Sequence, residues 1–145
     1  MPTVLDVILS KGDTIHSISP TESVIDAVHK MNQFKIGCLM VIDQEQVAGI
    51  FTERDVLRRV IGEGRDVNKV TVGEVMTTDI ICCGPNTDLD DVASIMKTRR
   101  VRHVPVCDDD GKLHGVVSIG DVNATYATTQ EQTIHFLNEY IYGRA

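Results

Sequence analysis

Gly49-Ile50-Phe51-Thr52-Glu53-Arg54-Asp55-Val56 is answered 66 residues later by Gly115-Val116-Val117-Ser118-Ile119-Gly120-Asp121-Val122. Both stretches read as an apolar strand that runs through a hydroxyl residue into a helix with an acid in its first turn. Upstream, at an offset of 65, Pro20 falls on Pro85, Asp26 on Asp91, Met31 on Met96, Val41 on Val106 and Asp43 on Asp108. A lead-in repeats as well: Thr3-Val4-Leu5-Asp6-Val7-Ile8 matches Thr71-Val72-Gly73-Glu74-Val75-Met76. Pairs kept in register over a whole unit mean that the chain is a duplication. The repeats divide it at 1–66 and 67–145.

Each repeat predicts the same elements. Thr14 to Ile18 and Ile80 to Cys83 read as short strands. Helices follow, with Ser23/Asp26 and Thr87/Asp90 resembling capping boxes one residue out of register between the copies. Val24, Val28 and Met31 in one helix, and Leu89, Val92, Ala93 and Met96 in the other, give each a buried face. The apolar runs Cys38 to Ile42 and His103 to Cys107 suit strands covered on both faces. Polar connectors, including Asp110-Gly111, lead to the returning strands Val47 to Thr52 and Leu113 to Ser118. The closing helices are Glu53 to Ile61 and Gly120 onward.

The expected class is therefore α/β (α+β), built from two β-α-β-β-α units. One small sheet with helices on one side cannot close a core, so the two units should pack sheet to sheet around a pseudo-twofold axis. The lead-in segments, with Leu5, Ile8 and Leu9 at helical spacing, are expected to lie across the opposite repeat. The last helix extends beyond the repeat with Ile134, Leu137 and Ile141 as a stripe, widened by Phe136 and Tyr140. Such a stripe should cover the module or join a second chain.

Composition excludes several classes. At 42% hydrophobic the chain is too apolar to be disordered, and no apolar run is long enough to span a bilayer. With 14 Lys and Arg against 21 Asp and Glu, the charge of −7 argues against a polymeric nucleic-acid surface. The beginning of the chain does not read as a signal peptide, so a cytoplasmic location is expected. Cys38, Cys82, Cys83 and Cys107 form no C-x-x-C pair and read as reduced core thiols. A redox role for Cys82-Cys83 is disfavoured because adjacent strand residues point to opposite faces. No metal is required by any Cys/His spacing.

The duplicated G-h-h-[ST]-x-x-D-h strings, taken with Arg58-Arg59-Val60 and Arg102-His103-Val104-Pro105-Val106, resemble the cystathionine β-synthase (CBS) domain. Two in tandem resemble a Bateman module, of the stand-alone two-domain type. The resemblance implies adenosine-containing ligands (AMP, ADP, ATP or NAD-type) in clefts between the repeats. Asp55 and Asp121 would then hold ribose hydroxyls, with Thr52 and Ser118 on ribose or phosphate. A carboxylate can accept two hydrogen bonds from a vicinal diol. The competing explanation is local: Thr52 and Ser118 as N-caps, Asp55 and Asp121 as helix-dipole partners. Arg54, Arg102 and His103 are the candidate phosphate ligands. Ile15, Ile18, Leu39, Ile50, Ile80, Val104 and Val116 are candidates for the adenine pocket.

No Walker A, H-E-x-x-H or G-x-S-x-G string is present. The expected function is regulatory rather than enzymatic: a nucleotide sensor, homodimeric through module faces and terminal helices, acting on an unidentified protein partner. The alternative is a constitutive homodimeric scaffold that binds little or no ligand.

Overall fold

The computed structural model of the chain describes residues 2–12 and 14–142, without the side chains of Glu139, Tyr140 and Tyr142. It is an α+β fold with two small sheets. In order, the elements are α1 (Val4–Lys11), β1 (Ser17–Ile18), α2 (Val24–Phe34), β2 (Cys38–Asp43), β3 (Gln46–Thr52) and α3 (Glu53–Asp55). A π-helical stretch, Val56–Ile61, continues α3. Then come α4 (Val72–Val75), α5 (Leu89–Arg99), β4 (His103–Cys107), β5 (Leu113–Ser118) and α6 (Ile119–Tyr142).

The chain forms two compact units. One is Thr14–Ile81; the other joins the N-terminal segment before it to the chain from Cys82 onward. They cut across the repeats because each lead-in helix packs on the other repeat. In the second unit, Val4 N donates to Thr87 O at 3.0 Å, Leu5 N to Pro85 O at 3.1 Å, and Leu89 N to Pro2 O at 3.0 Å. In the first, Val72 N donates to Glu22 O at 2.9 Å, Gly73 N to Pro20 O at 2.9 Å, and Val24 N to Val70 O at 2.9 Å. These are the same three bonds at equivalent positions. The lead-in's buried face is Val4, Val7 and Ile8, whereas Leu9 is 70% exposed, so the Leu5/Ile8/Leu9 face is rotated from the expected one.

In the first unit β1 pairs parallel to β2, and β2 antiparallel to β3. Gln44 and Glu45 both have positive φ, the two-residue geometry that matches strand twist. Ile18, Val24, Ala27, Met31, Leu39, Val41 and Phe51 fill the core with Val72 and Val75 of α4. In the second unit β4 and β5 form an antiparallel pair, and Val4, Val7 and Ile8 join Leu89, Val92, Met96, Val104, Val106 and Val117 in the core.

The expected strand Ile80 to Cys83 is reduced to a single parallel bridge between Cys83 and Val106. Proline explains the loss. Met40 N donates to His16 O at 3.0 Å in the first repeat, and the residue equivalent to Met40 is Pro105, which has no N–H.

The cap expected at Thr87 is also displaced. Asp88 is the N-cap of α5, in register with Ser23, while Thr87 Oγ1 accepts from Gly84 N at 3.1 Å. Both α2 and α5 end on a left-handed residue, Lys35 and Arg100, each at φ 55°.

Of the stripe expected on α6 to cover the module or join a second chain, Ile134, Phe136, Leu137 and Ile141 are exposed. The Tyr140 side chain lies outside the described residues.

Candidate functional site

Each returning strand ends on the hydroxyl residue that starts the next helix, and capping geometry there places the acid. In the first unit Asp55 N donates to Thr52 Oγ1 at 3.3 Å, and Thr52 N donates to Asp55 Oδ2 at 3.0 Å. In the second, Asp121 N donates to Ser118 Oγ at 3.1 Å and Ser118 N to Asp121 Oδ2 at 2.8 Å. These are capping boxes with Asp at N3, which satisfy backbone N–H groups that a helix start leaves unpaired. A backbone bond to the residue just before β2 or β4 completes each junction: Glu53 N to Gly37 O at 3.1 Å, and Ile119 N to Arg102 O at 2.9 Å.

Beyond the caps the two acids differ. Asp55 is 5% exposed. Its Oδ1 accepts from Thr77 Oγ1 at 2.9 Å and lies 3.7 Å from Arg59 Nε, while Thr52 Oγ1 donates to Oδ2 at 3.3 Å. Arg59 also donates to Met76 O at 3.0 Å. Asp121 keeps 22% of its side chain exposed and is held by Lys11, whose Nζ donates to Asp121 Oδ2 and to Val116 O, both at 2.7 Å.

Strand pairing sets what stands beside each junction. Thr52 lies opposite Cys38, whereas Ser118 lies opposite His103. The second junction therefore gathers Ser118, Asp121, Lys11, His103 and the neighbouring Arg102. Burial pushes the His103 imidazolium down, and the Lys11 and Arg102 charges push it further, against the opposing pull of Asp121. Burial raises the Asp121 carboxyl, but the Lys11 ammonium and the Ser118 hydrogen bonds outweigh it and hold it below its ordinary value.

Of the residues expected from the sequence, Thr52 stands with Asp55, and Ser118 with Asp121, Arg102 and His103. Arg54 is exposed on α3, and it is Arg59 that reaches Asp55. Leu39 and Val104 have no exposed surface and Ile18 has 5%; all three are packed in the cores. Ile50 is buried and its backbone bridges Thr77, with Ile50 N to Thr77 O at 2.9 Å. Ile15, Ile80 and Val116 are half-buried.

Sequence reasoning missed Lys11, Thr77 and Arg59. Arg59 had a signal, since Asp55 and Arg59 are four apart on a helix. Lys11 and Thr77 had none, because they arrive from the lead-in of the other repeat. Among the described residues no group of three His, Cys, Asp or Glu is placed to hold a metal ion. No helix among the described residues is long and apolar enough to cross a membrane.

The family model for the CBS domain matches residues 8–62 and again 72–127. The chain is 37% identical to the CBS domain-containing protein CBSX3, mitochondrial, of Arabidopsis thaliana, over 97% of this chain and 72% of that one. A putative signal-transduction protein with CBS domains from Burkholderia ambifaria has the same fold. Its TM-score is 0.85 at 35% identity, covering 89% of this chain and 96% of that one. The CBS domain pair of protein MJ0100, solved in complex with 5′-methylthioadenosine and S-adenosyl-L-methionine, shares the fold at 23% identity. There the TM-score is 0.78, covering 89% of this chain and 98% of that one.

Proposed function

Since this chain belongs to the CBS domain family, we propose that it is a regulatory module of two repeats, 1–66 and 67–145, rather than an enzyme. It binds an adenosine-containing nucleotide (AMP, ADP, ATP or NAD-type) and passes its occupancy to a partner protein.

The observation that carries this reading is the partly exposed Asp121 carboxylate, set in a capped helix start among Lys11, Arg102 and His103. A ribose diol can donate both hydroxyls to that carboxylate. Lys11 would then exchange its ion pair for a phosphate, with Arg102 and, at lower pH, His103 adding charge. Half-buried Val116, in the same unit, supplies apolar surface for the base.

The ligands of MJ0100 belong to that protein; here they only widen the compounds worth titrating. We place the module in the cytoplasm, as a homodimer joined through its faces and the apolar residues of α6. A mitochondrial setting like that of CBSX3 would leave the chemistry unchanged. Sedimentation at micromolar concentration should give a species heavier than the 16.0 kDa chain.

The test is calorimetric titration of the full chain with AMP, ATP, NAD and S-adenosylmethionine. At least one should bind, and Asp121→Asn should weaken it by about tenfold or more, close to 1.4 kcal/mol. Binding by none of them, or binding indifferent to Asp121→Asn, would sink the reading.

A constitutive scaffold is the second reading, and Asp55 favours it. That carboxylate is already engaged by Thr52, Thr77 and Arg59. If titration detects no ligand, this reading stands.

A further inference from the structure

The four cysteines do not share one environment. The single bridge between Cys83 and Val106 fixes the alternation of side chains on both segments. Cys83 turns inward with Val106, 8% and 0% exposed. Cys82 is exposed, which corrects the expectation of a core thiol, and it meets half-buried Cys107 with their Sγ atoms 3.7 Å apart. Bond formation needs the sulfurs to close to about 2 Å, a small motion for two χ1 rotations, whereas Cys82 and Cys83 point apart.

We propose that Cys82 and Cys107 are a dithiol/disulfide site, oxidised by exchange with a protein or small-molecule disulfide. Cys82, on the surface, attacks one sulfur of RSSR as its thiolate and releases RS⁻. Cys107, deprotonated, then attacks Cys82 Sγ, and the second RS⁻ leaves. Two protein S–H bonds are lost, one S–S bond forms, and the oxidant is reduced to two RSH.

The division of labour follows the surroundings. Burial, with the hydrogen bond and charge of Cys82, pushes the Cys107 thiol up to about 11, so it suits the resolving step, where its target sulfur is adjacent. Burial likewise raises Cys83 to about 11 and keeps it from competing. The bond would fasten the segment before α5 to the end of β4, where Pro105 has deprived the sheet of a ladder hydrogen bond.

The experiment oxidises the purified full chain with oxidised glutathione, unfolds it and alkylates it. Two of the four cysteines should escape alkylation, and the chain should be lighter by about 2 Da before alkylation. Digestion with trypsin should join residues 103–112 to residues 70–97. Cys83→Ser should keep the crosslink; Cys82→Ser and Cys107→Ser should lose it, each with unchanged circular dichroism. A bond to Cys83, a bond between two chains, or four thiols still open to alkylation would overturn the proposal.

Discussion

The Thr52–Asp55 and Ser118–Asp121 junctions come from one duplicated sequence, yet their acids are held by different partners. Both use the same capping box. At the first, the opposite lead-in brings backbone and a hydroxyl: Thr77 N donates to Ile50 O at 2.8 Å and Thr77 Oγ1 to Asp55. At the second, it brings one ammonium, and Lys11 serves both Val116 O and Asp121. Val116 is the counterpart of Ile50, so one carbonyl is capped by a peptide N–H and its twin by a lysine. A neutral, directional seal buries the acid and makes it part of the core. A long charged side chain leaves its acid open to solvent and able to change partners. A sealed acid and a partly open one thus arise from two copies of one motif.

Removing the acids should separate the two junctions most. Asp55→Ala leaves Thr52 N and Thr77 Oγ1 without an acceptor in a buried place and should cost about 2–4 kcal/mol. Asp121→Ala, half-open to water, should cost about 1 kcal/mol or less. Urea unfolding of both variants measures the difference; equal losses would end the distinction.

The glycines before each junction give the next largest effect. A Cβ on Gly49 would meet Thr77 O at 2.7 Å and Met76 Sδ at 2.8 Å, a clash that includes backbone. On Gly115 it would meet only Ile8 side-chain atoms, at 3.2–3.3 Å, which can give. Gly49→Ala should therefore lower stability by about 2–3 kcal/mol and Gly115→Ala by about 1 kcal/mol or less, read from unfolding midpoints.

Acid should act on the second junction in two stages. His103 is held below its ordinary 6.5, so the unfolded chain takes up the proton first and stability falls as pH drops through 6.5 toward the folded value. Asp121 is held below 3.8, so its contribution is complete above that pH and lost as pH falls through its folded value. In Lys11→Met both groups should titrate higher, the histidine closer to 6.5, by NMR titration. An unmoved His103 would separate it from the site.

Pro105→Val is the mildest change. It restores the N–H that Met40 uses in the first repeat, so residue 105 should become protected in hydrogen exchange. The hydrogen bond gained and the rigidity lost should nearly cancel, within about 1 kcal/mol.

Much of the fold was legible because its signals are local. The capping boxes at Thr52 and Ser118 lie within four residues, and the faces of α2 and α5 within two turns. The errors have local causes too. Thr87 looked like a cap, but its one-residue mismatch with Ser23 already pointed to Asp88. The strand at Ile80 to Cys83 failed for want of one N–H on Pro105, 22 positions beyond its end. In the site, Arg59 was readable from its spacing to Asp55. The Cys82–Cys107 contact was not, since it depends on which face the bridge at Cys83 presents.

By itself the sequence determined the duplication, the strand-to-helix junctions and their acids, because periodicity and capping are settled among neighbouring residues. Tertiary structure alone decided which acid is sealed and which is open. That choice belongs to side chains delivered from far along the chain by lead-in helices that cross between repeats, and no local pattern encodes where such a helix end will land.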